Sequence, residues 1–495
     1  MKSTNEILEG LLRQVQPVNF YEIAKPEDLK EGETFKLNNN KIIVISIDQV
    51  LKLSIQNNWG LCINNGSAYL YNGRYWTELH PDLLKNFLGE AAARQGVDRL
   101  ASKHFNYREN LLKQFFSAAF LQEPEPDPDK VLINLQNGTL EISAKDKSFK
   151  LRDFSPADFL KYQLPFEYDP KAMAPKFAAF LSRALPDPSS RMLLLEYCGY
   201  IFVKHGSGKL KLEKVLLLYG TGANGKSGVF EILLKLLGYE NVSNYSLANL
   251  TDSTGYYRAE IGDKLLNYAS EISGSIGQDH FKAMASGEPI TARRPYRDAA
   301  NLRQYAKLIF NCNELPKDTE QTHGFFRRFM IIPFEVTIPT EEQDPELYTK
   351  ITDSELSGIL NMILEGLQRL LQLGKFTVCQ AAENSVKKYE LESNSVASFL
   401  SERQYQPSLK NTLPRQKLFA EYKEYCFESL YKPCSDRTFS DRLRKLGYSV
   451  DKKNIGNVVY IENTKDYIPP SLATYPTLNS VASVENVGTS QTFQF

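Results

Sequence analysis

The chain has 495 residues, 42% of them hydrophobic and 24% charged, and its 59 lysines and arginines are balanced by 59 aspartates and glutamates. The composition is ordinary for a soluble globular protein, and the length predicts two to four domains. Because the net charge is zero, the total neither favours nor excludes nucleic acid, and only the grouping of basic residues is informative.

Cysteines and hydrophobic runs restrict the kinds of site and location. The six cysteines form no CxxC pair, and no histidine lies near them at ligand spacing. This argues against a zinc site and favours a reducing compartment. No apolar run approaches the roughly 18 residues of a membrane helix, and the N-terminus is too polar for a signal peptide. We therefore expect a cytoplasmic protein without membrane contact.

The first 205 residues predict a mixture of helices and hairpins. The run "KIIVISI" at 41–47 is typical of a short strand. Asn72-Gly73 and Asn137-Gly138 each separate two strand-like runs, which predicts two hairpins. Helical periodicity predicts helices at residues 81–122 and at 174–205, with a break near 186–190. The acidic, proline-rich stretch 123–129 predicts a connector.

The stretch "YGTGANGKSGVFEI" at 219–232 follows the apolar run "KVLLL" and precedes an apolar helical pattern. It fits G-x-x-x-x-G-K-[ST], in which backbone N–H groups surround a phosphate and the lysine reaches the β- and γ-phosphates. The serine hydroxyl can bind Mg²⁺. We therefore expect ATP and Mg²⁺ at the loop formed by Gly220, Thr221, Gly222, Ala223, Asn224, Gly225, Lys226 and Ser227.

Two further strand ends carry polar residues suited to nucleotide hydrolysis. The pattern "DKLLNYASEIS" predicts a strand that ends at Glu271, whose carboxylate can hold Mg²⁺ and polarise the attacking water. The alternative is a surface glutamate at a strand end. The run "AKLIFNCN" predicts a buried strand ending in Asn313, whose amide can sense the γ-phosphate and orient water.

Two groups of arginines follow different strands. Between residues 293 and 303, basic residues alternate with an aromatic one, which favours contact with a nucleic-acid backbone over a solvated charged turn. The residues concerned are Arg293, Arg294, Tyr296 and Arg297. Arg327 and Arg328 precede another apolar strand. One of them can reach the γ-phosphate of a neighbouring subunit, whereas the other has a supporting role in a salt bridge.

Residues 412–463 predict two helices and a hairpin. Ser435 is the expected N-cap of the second helix, and Phe439, Leu443 and Leu446 share one of its faces. A basic second helix favours DNA contact, although a module that packs within a ring or against a partner remains the alternative. The opposite, basic face carries Arg437, Arg442, Arg444 and Lys445.

The order of these motifs resembles superfamily 3 helicases, and within them the D5/phage P4-type family. The resemblance rests on "GTGANGKS" (220–227), "NYASEIS" (267–273), "SGEPITARRPYRD" (286–298), "LIFNCNELP" (308–316) and "GFFRRFMIIPF" (324–334). It implies an α/β fold in which an AAA+-like P-loop ATPase core lies between an α+β N-terminal domain and a C-terminal winged-helix-like module. It also implies a hexameric ring that moves 3′→5′ on single-stranded DNA.

The resemblance also assigns roles to individual residues. Gly225, Lys226 and Ser227 match the Walker A set, and Glu271 matches the Walker B acid. Asn313 matches sensor 1, and Arg327 or Arg328 matches the finger that acts in trans. Arg293 and Arg294 fall where the DNA-facing hairpin of the family begins.

We expect a replicative helicase of a phage, virus, plasmid or other mobile element, in the host cytoplasm if phage- or virus-encoded. Its partners would be single-stranded and forked DNA, copies of itself, and a separate primase or initiator. The first 60 residues contain no D-x-D pair, so we expect no intrinsic primase activity. The alternatives are an origin-binding initiator ATPase and a protein-remodelling ATPase.

The expected divisions are 1–60, an N-terminal segment; 61–205, the α+β domain; 206–340, the ATPase core; 341–411, a helical connector; 412–465, the winged-helix-like module; and 466–495, a poorly ordered tail.

Overall fold

The computed structural model describes residues 3–29, 33, 35–206, 210–270, 272, 276–294, 298–315, 323–429, 431, 433–453 and 456–463. The chain forms two compact units, the first reaching Val386 and the second beginning at Lys387. Over these described ranges no helix is both long and apolar enough to cross a membrane. The predicted tail at 466–495 lies outside the described residues.

The first unit opens with helices that share a core with a small antiparallel sheet. Its first elements are α1 Thr4–Gln14, α2 Phe20–Ala24, α3 Asn39–Gln56, β1 Leu61–Asn64, β2 Ser67–Tyr71, β3 Trp76–Leu79, α4 Pro81–Arg94, α5 Arg99–Lys103 and α6 Phe105–Ala118. Ile7 of α1 and Ile47 of α3 belong to the same apolar cluster as Leu70 and Phe115. Residues 1–60 therefore do not pack as a separate segment.

The run at 41–47 is helical, so the predicted strand is wrong. It lies inside α3, whose N-cap Asn38 accepts a hydrogen bond from the backbone N–H of Lys41. Ile43, Ile47 and Val50 are buried, and their spacing of four and three residues matches one helix face. The β-branched residues suggested a strand, but the cap and this apolar face determine a helix.

Both predicted hairpins are present, with a third beside them. β2 and β3 pair antiparallel around the loop that contains Asn72-Gly73. A third Asn-Gly pair, Asn65-Gly66, joins β1 to β2, and both residues have positive φ angles. The second three-stranded sheet consists of β4 Lys130–Leu135, β5 Gly138–Ser143 and β6 Ser148–Arg152.

The next helices, α7 Pro175–Ala184 and α8 Pro188–Tyr200, confirm the helical prediction and its break, because Asp187 caps α8. Leu135 and Tyr197 lie in the same apolar cluster as Leu216 and Ile309, which belong to the central sheet. The predicted division at residue 205 is therefore not a break in the hydrophobic core. The stretch 207–209 lies outside the described residues.

The centre of the first unit is a five-stranded parallel sheet with the order β13-β7-β12-β9-β8. Nearly all residues of its strands β7, β9, β12 and β13 are buried, as is usual for a parallel sheet. The elements of this region are β7 Val215–Tyr219, α9 Lys226–Leu237, β8 Val242–Ser243, α10 Leu247–Leu250, α11 Tyr256–Glu260, β9 Leu266–Ala269, α12 Gln278–Ser286, β10 Ile290–Ala292, β11 Ala300–Leu302, β12 Lys307–Cys312, α13 His323–Phe326 and β13 Phe329–Pro333. They are followed by α14 Leu347–Ser354, α15 Leu356–Leu373 and α16 Gln380–Glu392.

The described residues of the second unit combine helices with a sheet of order β14-β16-β15. Its elements are α17 Ser395–Glu402, β14 Tyr405–Pro414, α18 Arg415–Glu428, α19 Asp436–Lys445, β15 Val450–Lys453 and β16 Gly456–Asn463. The sequence placed 405–411 in a helical connector, whereas these residues lie in β14 and pair with β16. β14 is mostly polar, and its sequence shows no clear alternation of apolar and polar residues. Its pairing with β16, rather than a pattern of its own, makes it a strand. As predicted, Ser435 caps α19, and Phe439 and Leu443 are buried.

Candidate functional site

The glycine-rich loop at 220–227 joins β7 to α9, so the predicted strand, turn and helix are all present. Gly225 has a φ of 90°, a conformation that favours glycine. A Cβ at Gly220 would lie 2.4 Å from the carbonyl oxygen of Phe334, so no larger residue fits there. The first turn of α9 has no side-chain cap, which leaves its N–H groups facing the loop. This arrangement suits an anion.

Lys226 is buried in this loop without a carboxylate among its described partners. Its ammonium donates to the carbonyl oxygen of Gly220 at 2.6 Å and to Oδ1 of Asn224 at 3.0 Å. Burial lowers the pKa of Lys226. A buried ammonium that faces only neutral oxygens gains from a nearby anion, as a phosphate-binding lysine should.

Asn224 explains a position in the loop that phosphate chemistry alone does not. Its side chain is buried. Its Nδ2 donates to the carbonyl oxygen of Phe334 at 2.9 Å, and its Oδ1 accepts a hydrogen bond from the Lys226 ammonium. The backbone N–H of Ile338 donates to the carbonyl oxygen of Ala223 at 2.8 Å. The chain after β13 therefore braces the loop, and Asn224 connects this brace to Lys226.

The central sheet brings Asn313 to the same edge as the phosphate loop. Cys312 of β12 pairs with Tyr219 of β7, and the backbone N–H of Gly220 donates to the carbonyl oxygen of Cys312 at 3.1 Å. Asn313 follows directly and is exposed beside the loop. Glu271 would follow the neighbouring strand β9 but lies outside the described residues. Carboxyl ends of parallel strands are where such folds bind ligands.

Arg327 and Arg328 lie at the opposite, amino edge of the sheet. They precede β13, and the backbone N–H of Val215, at the start of β7, donates to the carbonyl oxygen of Arg328 at 2.8 Å. The length of β7 separates this edge from the phosphate loop by roughly 15 Å. Neither arginine therefore lies beside the loop of its own chain.

The two arginines differ in their surroundings. The side chain of Arg328 is 12% exposed, and it donates to Oγ of Ser286 at 3.1 and 3.3 Å and to the carbonyl oxygen of Gly324. The side chain of Arg327 is 48% exposed and contacts Oε2 of Glu213 at 2.7 Å. Arg328 is thus held by its own chain, while Arg327 remains accessible.

The predicted nucleic-acid arm is the connection between β10 and β11, which pair antiparallel. Arg293 is exposed at its start. Arg294 instead forms a bidentate ion pair with Glu78 of β3, at 2.6 and 3.3 Å. Tyr296 and Arg297 lie outside the described residues.

In the second unit, α19 presents the predicted basic residues to solvent. Arg437, Arg444 and Lys445 are exposed, and Arg444 pairs with Asp441 at 3.1 Å. Arg442 is half-buried, and its Nη1 lies 3.5 Å from Oγ of Ser395. The accessible positive charge of this helix therefore comes mainly from its two ends.

Sequence reasoning missed the residues that hold these groups in place. Glu78, Glu213 and Phe334 contact predicted site residues, but each is far from its partner in the sequence. No local pattern distinguishes Glu78 from any other exposed strand glutamate, and Phe334 acts through its backbone carbonyl. Only the tertiary structure could reveal these partners.

A cavity of about 320 Å³ also lies in the first unit, away from the phosphate loop. Lys307, the first residue of β12, lines it and is buried. Its ammonium lies 3.0 Å from Nδ1 of His205 and 4.2 Å from the centre of the Tyr200 ring. Burial lowers the pKa of Lys307 to about 7, and burial together with the Lys307 charge lowers that of His205.

No group of three or more histidine, cysteine, aspartate or glutamate side chains within the described part of the chain could hold a metal ion. Ser227 is exposed at the start of α9, next to the phosphate loop. A Mg²⁺ ion there would therefore need oxygens of a bound nucleotide as well as this hydroxyl.

Three family models match different parts of the chain. Residues 48–186 match "D5 N terminal like", and residues 391–474 match "Poxvirus D5 protein-like". Residues 218–328, which include the phosphate loop, match a "Family of unknown function (DUF5906)".

The chain is also similar to viral proteins named as helicases. It is 28% identical over 219 residues to "Putative helicase L207/L206" of Acanthamoeba polyphaga mimivirus, which is 42% of this chain and 22% of that protein. It is 23% identical over 242 residues to "Putative helicase 121R" of Invertebrate iridescent virus 3, covering 44% of this chain and 24% of that protein. The match therefore spans less than a quarter of the length of these relatives. Two of the three matching family models are thus D5 models, and the similar viral proteins are named as putative helicases.

Among solved structures, the chain is similar to the A form apo structure of the NrS-1 C-terminal region. The likeness covers 83% of this chain and 97% of that one, with 14% sequence identity and a TM-score of 0.45.

Proposed function

We propose that this protein is an ATP-dependent DNA helicase of the superfamily 3 type, whose subunits share nucleotide sites. The observation that carries the proposal is the division of basic residues between the two edges of one parallel sheet. Lys226 lies in a phosphate loop at the carboxyl edge, whereas accessible Arg327 lies at the amino edge. An arginine so placed can complete only the site of another subunit.

ATP and Mg²⁺ fit the carboxyl edge. The close approach at Gly220, the uncapped start of α9 and the neutral partners of Lys226 all favour a polyphosphate. Lys226 would hold the β- and γ-phosphates, and Ser227 and Glu271 would hold Mg²⁺. Asn313 would orient water near the γ-phosphate.

Arg327 is the proposed finger, and Arg328 is its support. An arginine that stabilises transition-state charge in another subunit needs a side chain that can reach that subunit. Arg328 instead donates hydrogen bonds to Ser286 and to the Gly324 carbonyl of its own chain. The resemblance extends the proposal to a hexameric ring and 3′→5′ movement. Arg293 and Arg294 would contact single-stranded DNA at a fork, and a separate primase or initiator would supply the other steps of replication.

A mixing experiment tests the shared site. Lys226→Ala and Arg327→Ala should each lack ATPase activity alone. In an equal mixture, about a quarter of the head-to-tail interfaces would pair an intact loop with an intact arginine. ATPase activity should therefore reappear on mixing. Two inactive variants that stay inactive in mixed rings of verified composition would contradict sites shared between subunits.

The role of DNA is tested separately. ATPase activity of the wild type should rise with oligothymidylate and fall steeply with salt, as phosphate contacts require. Forks with 3′ or 5′ tails would report unwinding and its direction. An ATPase unaffected by DNA would favour protein remodelling instead.

An origin-binding initiator is the second candidate, and α19 favours it. The order of elements in the second unit, helix–strand–helix–helix–strand–strand, supports a winged-helix-like module whose α19 would contact DNA. Arg437→Ala with Arg444→Ala should then abolish site-specific binding and spare fork unwinding. Loss of unwinding with unchanged site-specific binding would reject this candidate.

A further inference from the structure

Glu78 and Arg294 form a contact that no sequence motif predicts. Glu78 lies on β3 of the N-terminal sheet, and Arg294 lies at the start of the β10–β11 connection, 216 residues later. Nη1 of Arg294 donates to Oε1 of Glu78 at 2.6 Å, and Nη2 donates to Oε2 at 3.3 Å. Nη1 also donates to Oγ of Ser67 at 3.3 Å. A bidentate fork of this kind is also the geometry in which arginine binds a phosphate.

The pair is accessible, so it can be exchanged. The side chains of Arg294 and Glu78 are 40% and 39% exposed. A pair with this exposure contributes little net stability, since water already solvates both ions in part. Neighbouring Arg293 is exposed and has no described side-chain partner. One of two adjacent arginines is thus available to an external anion, and the other is occupied.

A second contact fixes the sheet that carries Glu78. Tyr69 lies directly opposite Glu78 in the β2–β3 register, and its hydroxyl donates to Asp263 at 2.6 Å. Lys161 pairs with the same carboxylate at 2.9 Å. The N-terminal sheet therefore stays attached near β9 without any contribution from Arg294. Release of Arg294 need not displace the sheet.

We propose that Glu78 is a clasp that occupies Arg294 in the place of a nucleic-acid phosphate, so that Arg294 makes no phosphate contact while the pair is closed. The N-terminal sheet thereby lowers the affinity of the protein for DNA. This inference rests on the proposed function, because it assumes that Arg294 meets DNA.

The test is the salt dependence of oligothymidylate binding, followed by fluorescence anisotropy. Glu78→Gln keeps the shape of the side chain but releases one cation. The slope of log K against log salt should become more negative by about 0.7, the value for one phosphate contact on a single strand. One added contact of this kind makes the ratio of the binding constant at 0.1 M salt to that at 1 M salt roughly fivefold larger.

Two controls separate the clasp from a change in net charge. Glu141→Gln removes the same charge from a carboxylate that pairs with Lys130 and Arg152, and its slope should equal that of the wild type. In an Arg294→Ala background, Glu78→Gln should change nothing. A gain that persists without Arg294, or that also appears in Glu141→Gln, would overturn the clasp.

Arg294→Lys keeps the test decisive if Glu78→Gln fails to fold. Lysine retains the charge but lacks the fork that holds both oxygens of Glu78, so the slope should again steepen. An unchanged slope in a folded variant, with steep salt dependence in the wild type, overturns the clasp and leaves the proposed function standing. If the wild type neither binds oligothymidylate nor responds to it in ATPase assays, the proposed function fails, and the clasp fails with it.

Discussion

The two edges of the central sheet hold basic residues in contrasting situations. At the carboxyl edge, Lys226 is buried among neutral oxygens in a loop that suits an anion. At the amino edge, Lys307 and Arg328 are held by groups of their own chain, and Arg327 is accessible. The basic residue at the carboxyl edge therefore lies among neutral oxygens in an anion-suited loop, whereas at the amino edge Arg328 is held by its own chain and Arg327 is half-exposed. The surroundings of each basic residue therefore depend on the end of the parallel strand that it adjoins, and not on whether it is a lysine or an arginine.

The largest expected effect comes from Arg327→Ala, which tests whether the amino edge acts in trans. The variant should lower kcat for ATP hydrolysis by about a thousandfold or more, since an arginine finger acts on transition-state charge. The Kd for ATP should stay within about twofold, because the loop of the same chain is intact. Steady-state kinetics and nucleotide-binding titrations check both values. Weak ATP binding with unchanged kcat would place Arg327 outside catalysis.

Arg328→Ala should show the opposite profile and sharpen the contrast between neighbours. Its removal leaves Ser286 and the Gly324 carbonyl without a charged donor, which should lower the free energy of unfolding by about 2 kcal/mol. Arg327→Ala removes a half-exposed guanidinium from Glu213, which keeps Lys211 and Arg328 nearby, and should cost less than about 1 kcal/mol. Urea unfolding of both variants provides the comparison. Equal stability losses would contradict the assignment of support to Arg328.

The sequence predicted the strand–loop–helix at 220–227 because glycine spacing and flanking apolar runs are local signals. The Asn-Gly hairpins were predictable for the same reason, although Asn65-Gly66 was overlooked. The helical run at 41–47 was mistaken for a strand because its β-branched residues favour strands, whereas the Asn38 cap and the buried face of Ile43, Ile47 and Val50 make it helical. The choice between Arg327 and Arg328 was also out of reach, since it depends on partners far away in the chain.

Asn224→Ala tests how the carboxyl edge keeps its lysine in place. The variant leaves the carbonyl oxygen of Phe334 without its donor and frees one side of Lys226, at a cost of about 1.5 kcal/mol in unfolding free energy. ATP affinity should fall as well, because the loop loses its brace. Thr221→Ala, an exposed position in the same loop, should leave stability unchanged. If both variants behave alike in thermal unfolding, Asn224 does not connect the chain after β13 to Lys226.

Lys307→Met tests the buried lysine at the amino edge through pH. In the folded protein the pKa of Lys307 is lowered to about 7 by burial, beside the His205 imidazole and the Tyr200 and Tyr305 rings. An unfolded lysine keeps its proton up to a pH of about 10.4, so the unfolded chain binds more protons between pH 7 and 10. The free energy of unfolding should therefore rise with pH in this window, by up to about 1.4 kcal/mol per pH unit from this residue.

Methionine keeps the apolar stem without the charge, so this rise should shrink in urea unfolding at successive pH values. Lys264→Met removes a lysine that lines the same cavity but donates to the Glu240 carbonyl, and the wild-type slope should persist. A slope that Lys307→Met leaves intact would show that the amino edge holds this lysine charged, as the carboxyl edge is expected to hold Lys226 once an anion is bound.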